Sequence, residues 1–402
     1  MPKISKKTYK DLHNFSFKKN IKNDNSFSHS VFLAEKNKNE YKKSFWYAKF
    51  LGKNRSEAIL ETLAQEFYRL LLFQQPKTRR AISNTKNEVE YHVLSKEISK
   101  FNEQFFLFPE NSKLILDSSI TGLAATQILA LWLNEVDFKA GNVGINEDGQ
   151  VIKIDGGLSF IKLNPKFKDL YEGKNLNITQ ADLEALPNLV NYEACNWLWQ
   201  IQWDLDKRCA IKKEPTELDK KINQSSYFKN ELYQTILRII SLPNELLQFF
   251  TQAYITNHND VTKFSNFIID RKQQLALAAK QIPAFNEYCQ SDQARKEILD
   301  FLNYLKTFKT MGKFFLFDEF SEKYKINLDS LLTILEAIKE ENVLENSINK
   351  VLPENDRSKQ KKPIPIPRQN KATQPLPSMG FFNENQQKIS AILYKKYAIV
   401  LK

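Results

Sequence analysis

Cysteine, histidine and glycine are scarce in this sequence of 402 residues, which contains 3, 4 and 10 of them. Cys195, Cys209 and Cys289 are widely spaced, which excludes a disulfide framework and a zinc-binding pattern, so they are expected to be buried thiols in a reducing compartment. No apolar run reaches ~18 residues, so no membrane span is expected. No Sec-type signal peptide is expected either, because the first ten residues lack an apolar stretch.

Basic residues are concentrated at the two ends of the chain. The formal net charge is +12; residues 1–53 hold 13 lysines against 4 acidic residues, and residues 351–402 hold 10 basic against 3 acidic residues. Such ends bind nucleic acid, anionic lipid headgroups or a soluble polyanion, or they are solvated surfaces that bind nothing. A hydrophobic content of 42% with 12% aromatic residues indicates a folded chain with one large core or two domains.

The most informative stretch lies between residues 136 and 157. It contains Asp137, Lys139 and Asn142, and a second aspartate, Asp155, ends a short apolar strand 13 residues after Asn142. Phosphoryl transfer requires one carboxylate to orient the attacking hydroxyl, and an Asn and another Asp to hold metal ions at nucleotide phosphates. Residues 143–154 predict strand, tight turn and strand, a hairpin that carries Asn142 and Asp155 to the same end. The spacing therefore predicts a metal site as well as a hairpin.

The apolar periodicity of the first hundred residues predicts strand, strand, helix and strand. These elements are expected at residues 25–34, 44–51, 56–73 and 88–94. Further along the chain, helical patterns are found at residues 120–133, 178–312 and 314–346. The first of these three is strongly apolar and leads directly into Asp137, so it is expected to be buried on most sides.

Six segments are predicted along the chain. Four of them follow from composition and periodicity: a basic N-terminal segment 1–24, a helical C-terminal extension 226–350, a Pro/Lys-rich linker 351–380 and a C-terminal amphipathic segment 381–402. The two between, 25–98 and 99–225, are the N-lobe and the C-lobe that the resemblance described next implies. The linker composition predicts an extended, solvated chain.

This order of parts resembles the protein-kinase-like superfamily. It is most similar to the atypical branch of phosphoinositide kinases, HipA-type kinases, actin-fragmin kinase and effector kinases secreted by intracellular bacterial pathogens. Asp137, Lys139 and Asn142 match the Asp-x-Lys-x-x-Asn loop of protein kinases, and residues 155–157 stand where these kinases have Asp-Phe-Gly. The resemblance, which covers roughly residues 25–200, implies an α+β, two-lobed fold. It has a small β-rich N-lobe, a mainly helical C-lobe and here a helical C-terminal region.

The resemblance also implies a role for each of these side chains. Asp137 would orient the substrate hydroxyl, and Lys139 would neutralise charge on the transferring phosphoryl group. Asn142 and Asp155 would bind the metal ions. Gly156 stands where Phe is usual, so inactivation by movement of that Phe is not expected.

Residues 47–50, Tyr-Ala-Lys-Phe, resemble the Val-Ala-Ile-Lys strand of kinases. Lys49 would then contact the α- and β-phosphates of the nucleotide. Its partner should be a glutamate on the following helix. Glu61 is the first choice because it lies one turn into the apolar pattern, and Glu57 and Glu66 are its rivals.

Two further nucleotide contacts are implied by the resemblance. Ser95, Lys96 and Glu97 resemble the hinge that holds adenine through backbone groups. No Gly-x-Gly-x-x-Gly loop precedes the Lys49 strand; small polar residues that include Ser28 and Ser30 occupy that place. Their hydroxyls and backbone amides could cover phosphates.

The resemblance therefore implies a kinase that uses ATP with Mg²⁺ or Mn²⁺ and phosphorylates a protein. Lys139 favours a Ser or Thr acceptor, because phosphoinositide kinases usually have His at that position. Two alternatives stay open: a phosphoinositide lipid kinase, supported by the strand before Asp155, and a nucleotide-binding pseudokinase scaffold, supported by the missing glycine loop. Transfer of AMP instead of phosphate is also conceivable on this fold.

Nucleic acid is not expected as a partner, because the predicted helix at 328–341 is acidic. The basic ends predict binding to an anionic lipid headgroup or to an inositol polyphosphate activator, with peripheral rather than transmembrane attachment. The composition, rich in lysine, asparagine and phenylalanine, fits a low-GC bacterial genome. The likeness to effector kinases implies a bacterial cytoplasmic protein that acts, after secretion, in the cytoplasm or at a membrane surface of a host cell.

Overall fold

The computed structural model describes residues 10–22, 29–39, 42–85, 88–167, 169–204, 206–310 and 315–324. The chain divides into two units, Met1–Ser347 and Ile348–Lys402, and all the described residues belong to the first. The predicted linker, the amphipathic segment and most of the helical hairpin predicted at 314–346 lie outside the described residues.

A six-stranded sheet and one long helix form the amino-terminal part. The strands are β1 Lys10–Asp11, β2 Ser16–Lys22, β3 Val31–Asn39, β4 Lys42–Phe50, β5 Thr78–Thr85 and β6 Glu88–Lys96. Their order across the sheet is β1-β5-β6-β4-β3-β2, and all neighbours are antiparallel except β1 and β5. The helix α1, Arg55–Leu71, follows β4 and contacts β5 and β6.

The sequence prediction of two strands before this helix and one after it is incomplete. β3, β4 and β6 were predicted, whereas β1, β2 and β5 were not. β2 is rich in lysine, and β5 has two fully buried arginines, Arg79 and Arg80, so neither shows the apolar alternation of a half-buried strand. β2 and β5 form strands because of their environment in the folded protein and not because of their local sequence pattern.

The remainder of the described chain is mainly helical. Its helices are α2 Lys113–Leu116, α3 Leu123–Trp132, α4 Gln180–Ala185, α5 Glu217–Gln224, α6 Ser226–Ser241, α7 Asn244–Tyr254, α8 His258–Lys280, α9 Pro283–Cys289, α10 Asp292–Thr307 and α11 Leu316–Tyr324. Every residue of α3 is buried, which confirms the prediction for this apolar helix. In the part of the chain that the structure describes, no helix is long and apolar enough to cross a membrane.

A small sheet and a hairpin interrupt the helices. The sheet order is β12-β11-β10-β7, from β7 Asp137–Lys139, β10 Asn196–Leu198, β11 Ile201–Asp204 and β12 Cys209–Lys212. The prediction of helix throughout 178–312 is therefore wrong around 196–212. These strands are too short for periodicity to reveal, and β10 exists because it pairs with β7. The predicted hairpin is confirmed as β8 Val143–Ile145 and β9 Val151–Lys153.

α1 lies between the six-stranded sheet and the carboxy-terminal helices. Asn54 caps the helix by accepting a hydrogen bond from the backbone N–H of Glu57 at 3.1 Å. From Ala58 to Leu71 all but one of its side chains are buried, because α6 and α7 cover the surface that the sheet leaves open. The helix is therefore held from two sides.

Candidate active site

Lys49 joins three elements of the chain at one point. Its Nζ, on β4, donates to Glu61 Oε2 of α1 at 2.9 Å and to Asp155 Oδ1, after β9, at 3.0 Å. Alternation along β4 turns Lys49 to the face of the sheet that α1 covers, while Ala48 packs into the apolar cluster on the other face. The sequence-predicted partner Glu61 is thus in contact with Lys49.

The charges of this cluster are strongly coupled. Burial would lower the pKa of Lys49, but the carboxylates of Asp155 and Glu61 outweigh burial and raise that pKa above its usual value. Burial would raise the pKa of Asp155, but Lys49 and Lys153 outweigh it and hold that pKa below its usual value. Burial raises the pKa of Glu61 to about 7 despite the neighbouring Lys49. Asp155 is therefore ionised at neutral pH, as a metal ligand must be.

The rivals of Glu61 have other partners. Glu57 Oε1 lies 2.7 Å from His29 Nε2, and Glu66 pairs with Arg69 at 2.7 Å and with Arg79 at 2.6 Å. His29 directly precedes Ser30, whose carbonyl accepts from the N–H of Phe50 at 3.0 Å. Ser28 lies outside the described residues. The structure thus assigns the three glutamates of α1 to three different contacts.

Asp137 lies at the start of β7 with its carboxylate held by three groups. Asn142 Nδ2 donates to Oδ2 at 3.1 Å, Lys139 Nζ lies 3.0 Å from the same oxygen, and Asn196 Nδ2 donates to Oδ1 at 2.6 Å. Burial would lower the pKa of Lys139, but the charge of Asp137 outweighs it and raises the pKa. The side chain of Lys139 is half exposed, so it can reach a bound substrate.

Sequence reasoning missed Asn196. It lies on β10, 59 residues from Asp137, and the parallel β7–β10 pairing places the two residues opposite each other. Its Oδ1 in turn accepts from the backbone N–H of Trp203 at 2.8 Å, which orients the amide. No motif marks this residue, because only strand pairing brings it to the site.

Asn142 and Asp155 lie at the same end of the β8–β9 hairpin. Val143 pairs with Lys153, and the backbone N–H of Ile154 donates to the carbonyl of Asn142 at 2.9 Å. Because Asn142 Nδ2 bonds to Asp137, its Oδ1 is the atom that can face a metal ion. The hairpin thus brings together the two residues that the spacing predicted as metal ligands.

These donors fit a magnesium or manganese ion better than zinc. One carboxylate and one amide oxygen are hard ligands, and Mg²⁺ usually binds few protein groups and completes its shell with phosphates and water. Among the described residues no group of three or more His, Cys, Asp or Glu side chains could hold a metal by itself. The donor set therefore suits an ion that arrives with a nucleotide.

Gly156 lets α1 lie close to the turn that follows Asp155. A Cβ at this position would lie 2.9 Å from the Cβ of Ala64 on α1, closer than real Cβ contacts. A larger side chain has no space here while α1 is in place. At the next position the backbone N–H of Gly157 donates to Asp155 Oδ1 at 3.3 Å. Two small residues thus let the turn lie directly against the helix.

The predicted adenine contacts are partly occupied within the protein. Ser95 and Lys96 end β6; the N–H of Lys96 donates to the carbonyl of Lys77 at 2.9 Å, and the N–H of Glu97 donates to that of Phe45 at 3.0 Å. The prediction that residues 95–97 hold adenine through backbone groups stays a prediction, and these two amides already have partners within the protein. They serve the sheet, because β6 extends further than the sequence indicated.

Tyr47 is a second residue that sequence reasoning passed over. It lies two positions before Lys49 on the same face of β4, pairs with Ser95 and leaves 38% of its surface exposed. Burial and the charges of Glu97 and Glu103 raise its pKa. Strand alternation was the signal that could have identified it as a neighbour of Lys49.

Comparison with known proteins gives structural likeness only. No family model and no curated protein matches the sequence. The Helicobacter pylori proinflammatory kinase CtkA is similar, with a TM-score of 0.37 and 11% identity over 67% of this chain and 96% of that chain. The MAP kinase LmaMPK10 from Leishmania major is similar, with a TM-score of 0.27 and 13% identity over 82% of this chain and 96% of that chain. With TM-scores this low, neither likeness decides a function.

The chain itself defines the fold class. A β-rich amino-terminal sheet carries Lys49, α1 supplies Glu61, and a mainly helical part supplies Asp137, Asn142 and Asp155. This is an α+β fold with a β-rich amino-terminal sheet followed by a mainly helical part, which confirms that much of the predicted fold class.

Proposed function

We propose that this chain is an ATP- and metal-dependent kinase that transfers the γ-phosphoryl group to a protein Ser or Thr. One observation carries the proposal: Lys49 contacts Glu61 and Asp155 at once, although 106 residues separate Lys49 from Asp155. A cation held between two carboxylates beside a metal-binding turn is the arrangement that cradles nucleotide phosphates.

Each side chain has a defined task in this reaction. Lys49 contacts the α- and β-phosphates, and Glu61 holds Lys49 in the position from which it reaches them. Asp137 orients the acceptor hydroxyl, whose oxygen bonds to the γ-phosphorus as the bond to ADP breaks, and the hydroxyl proton passes to Asp137. Lys139 stabilises negative charge on the transferring group. Metal ions at Asn142 and Asp155 neutralise the phosphates when bound.

Lys139 is the reason for preferring a protein acceptor over a lipid. It lies 3.0 Å from Asp137 and remains half exposed, so its charge is available beside the attacking hydroxyl. Phosphoinositide kinases, to which the Asp155 strand is similar, usually have His at that position. A lipid kinase would therefore be expected to have a histidine, and not Lys139, beside Asp137.

The test combines both acceptors in parallel reactions. The pure protein is incubated with γ-labelled ATP and Mg²⁺ or Mn²⁺, with a general protein acceptor or with phosphoinositide liposomes. Asp155→Asn removes the negative charge of the proposed metal ligand, and Asp148→Asn, on the exposed turn of the hairpin, is the matched control. Label in protein that Asp155→Asn loses and Asp148→Asn retains supports the proposal. Label in lipid alone favours the lipid kinase, and ATP binding without transfer favours the pseudokinase.

Activation by a polyanion and action in a host cell are further parts of the proposal. They are supported by the basic ends and by the likeness to effector kinases, respectively. Residues 1–9 and 325–402 lie outside the described residues, so solution experiments must address them. Addition of inositol polyphosphate or anionic liposomes should raise the melting temperature in a salt-sensitive manner. If neither addition changes the melting temperature, the proposal that a polyanion binds is contradicted.

A further inference from the structure

A fully buried lysine lies beneath the metal-binding turn. Lys153, the last residue of β9, has no exposed side-chain surface. Three oxygens surround its Nζ: the carbonyls of Ile154 and Asp155, both at 2.8 Å, and Oε1 of Glu135 at 2.9 Å. Nζ thus donates to two successive backbone carbonyls and forms an ion pair with one carboxylate.

Glu135 is the anchor of this lysine and is itself fully buried. Its Oε2 accepts from Ser159 Oγ at 2.8 Å and from Tyr68 OH of α1 at 3.4 Å, and its carbonyl accepts from Tyr192 OH at 3.0 Å. Burial raises the pKa of Glu135 although Lys153 opposes this effect. The carboxylate is therefore tied to α1 and to the segments before and after the turn.

The backbone of Asp155 needs such support. Its φ is +54°, in the left-handed region that residues other than glycine seldom adopt. An unusual backbone conformation persists only where its surroundings determine it. The carbonyl groups on both sides of this bend, of Ile154 and Asp155, are the two that Lys153 binds.

We propose that Lys153, held by Glu135, is a positioning residue that fixes the turn at Asp155 in its metal-binding conformation. This inference rests on the proposed function. Lys153 holds the backbone of Asp155, whereas Lys49 holds its carboxylate. The two lysines should therefore have different effects. Lys49 contributes to nucleotide binding directly, and Lys153 contributes to metal binding by holding Asp155.

The experiment measures binding rather than turnover. The dissociation constant of a non-hydrolysable ATP analogue is determined by calorimetry in EDTA and in increasing Mn²⁺. Lys153→Met alone would leave Glu135 charged and unpaired in the interior, so the double variant Glu135→Leu/Lys153→Met, which removes both charges, is the main test. Asp155→Asn is the reference, and Lys174→Met, which breaks an exposed pair with Glu193, is the matched control.

The double variant should bind the analogue in EDTA about as tightly as the unmodified protein, because Lys49 is intact. Its apparent affinity for Mn²⁺ should fall about 10–100-fold, the usual effect of losing a residue that orients a metal ligand. Asp155→Asn should lose the same metal effect, and Lys174→Met should keep it. A milder variant, Ser159→Ala, removes one hydrogen bond from Glu135 without changing the charge. It should also lower the apparent affinity for Mn²⁺.

The possible results separate the two proposals. A folded double variant, or Ser159→Ala, with an unchanged response to Mn²⁺ overturns the role of Lys153, while the kinase proposal stands. An unmodified protein whose nucleotide affinity does not respond to metal overturns both. Weakened binding in EDTA by the same factor as in Mn²⁺ also overturns the positioning role, because that pattern means general damage to the site.

Discussion

The contacts of single atoms decide how this site is assembled. Lys49 reaches two carboxylates, Asp137 is held by an amide from a distant strand, and the absence of a side chain at Gly156 lets α1 approach the turn after Asp155. Each contact depends on a side chain of one size and charge. Substitutions at these positions should therefore change the reaction more than the overall stability.

Gly156→Ala should separate α1 from the turn. The added Cβ would lie 2.9 Å from Ala64 Cβ, so the helix must move, and Glu61 moves away from Lys49 with it. We expect the rate of phosphoryl transfer to fall at least about tenfold, since small displacements of positioning groups are costly. The second change Ala64→Gly removes the opposing Cβ and should restore much of the rate. Failure of this rescue in a folded double variant would contradict the steric explanation.

Asn196→Ala should lower kcat without changing KM for ATP. Asn196 holds Oδ1 of Asp137 at 2.6 Å and has no contact with Lys49, Glu61 or Asp155. Loss of this orientation should reduce kcat by about tenfold or more, because efficient proton acceptance needs a positioned carboxylate. Steady-state kinetics with varied ATP measures both constants. Asn191→Ala, at an exposed asparagine nearby in sequence, should leave kcat and KM unchanged. A higher KM for ATP in Asn196→Ala would argue against the role of Asn196 in orienting Asp137.

At the scale of elements, α3 is the buried helix on which the Asp137 segment depends. Its two ends are bound by an acidic and a basic side chain of other helices. Glu231 of α6 accepts from the backbone N–H groups of Gly122 and Ala124 at the start, and Arg271 of α8 donates to the carbonyl of Leu131 at the end. The signs match the helix dipole, positive at its N-terminus and negative at its C-terminus. The helix leads to Asp137 through four buried residues.

The Glu231 contact should make stability depend on pH. Burial raises the pKa of Glu231 from 4.5 to about 7, so the folded state retains a proton that the unfolded chain releases. This contribution to stability is complete below pH 4.5 and is lost as the pH rises through 7. Relative to Glu231→Gln, the free energy of unfolding should fall between pH 5 and 8 by up to about 3 kcal/mol. Urea titrations at each pH measure the difference, with exposed Glu217→Gln as the control. A difference that does not vary with pH would refute the assignment.

At the scale of the whole described chain, the carboxy-terminal helices and the amino-terminal sheet share α1. Phe67 of α1 packs against Phe250 of α7, with ring centroids 4.7 Å apart, and Tyr254 of α7 donates to Glu66 of α1. Tyr304 OH of α10 donates to the carbonyl of Arg69 at 2.6 Å. Helices far along the chain therefore hold the helix that carries Glu61. The position of α1 does not depend on the sheet alone.

Phe250→Ala should weaken both stability and nucleotide binding. Phe250 is fully buried, and its loss leaves a cavity beside Phe67 that should cost about 3–5 kcal/mol. Since α1 loses a contact, the rise in melting temperature on adding an ATP analogue should also shrink. Phe108→Ala, at a phenylalanine that is 51% exposed, should change stability by less than about 0.5 kcal/mol. If Phe250→Ala is destabilised but its melting temperature rises normally on adding the ATP analogue, the packing of α7 on α1 does not affect nucleotide binding.

Local pattern predicted those parts of the molecule that short-range rules specify. Apolar periodicity indicated α1, α3 and the strands β3, β4 and β6. The residues between Asp137 and Asp155 predicted both a hairpin and the meeting of Asn142 with Asp155, because a tight turn brings its ends together. The expectation that Lys49 pairs with a glutamate of α1 came from the resemblance to kinases and not from a local rule.

Tertiary structure decided what no local pattern contains. Three glutamates of α1 were candidates for Lys49, and only the packing of the helix selects Glu61 and gives Glu57 and Glu66 other partners. Asn196 reaches Asp137 through strand pairing, and Lys153 is buried under Asp155 rather than exposed on a hairpin. The physical reason is common to all: the free energy of these contacts comes from burial and pairing between segments far apart in sequence. The sequence by itself determined the chemical groups of the site, and the folded chain determined which of them meet.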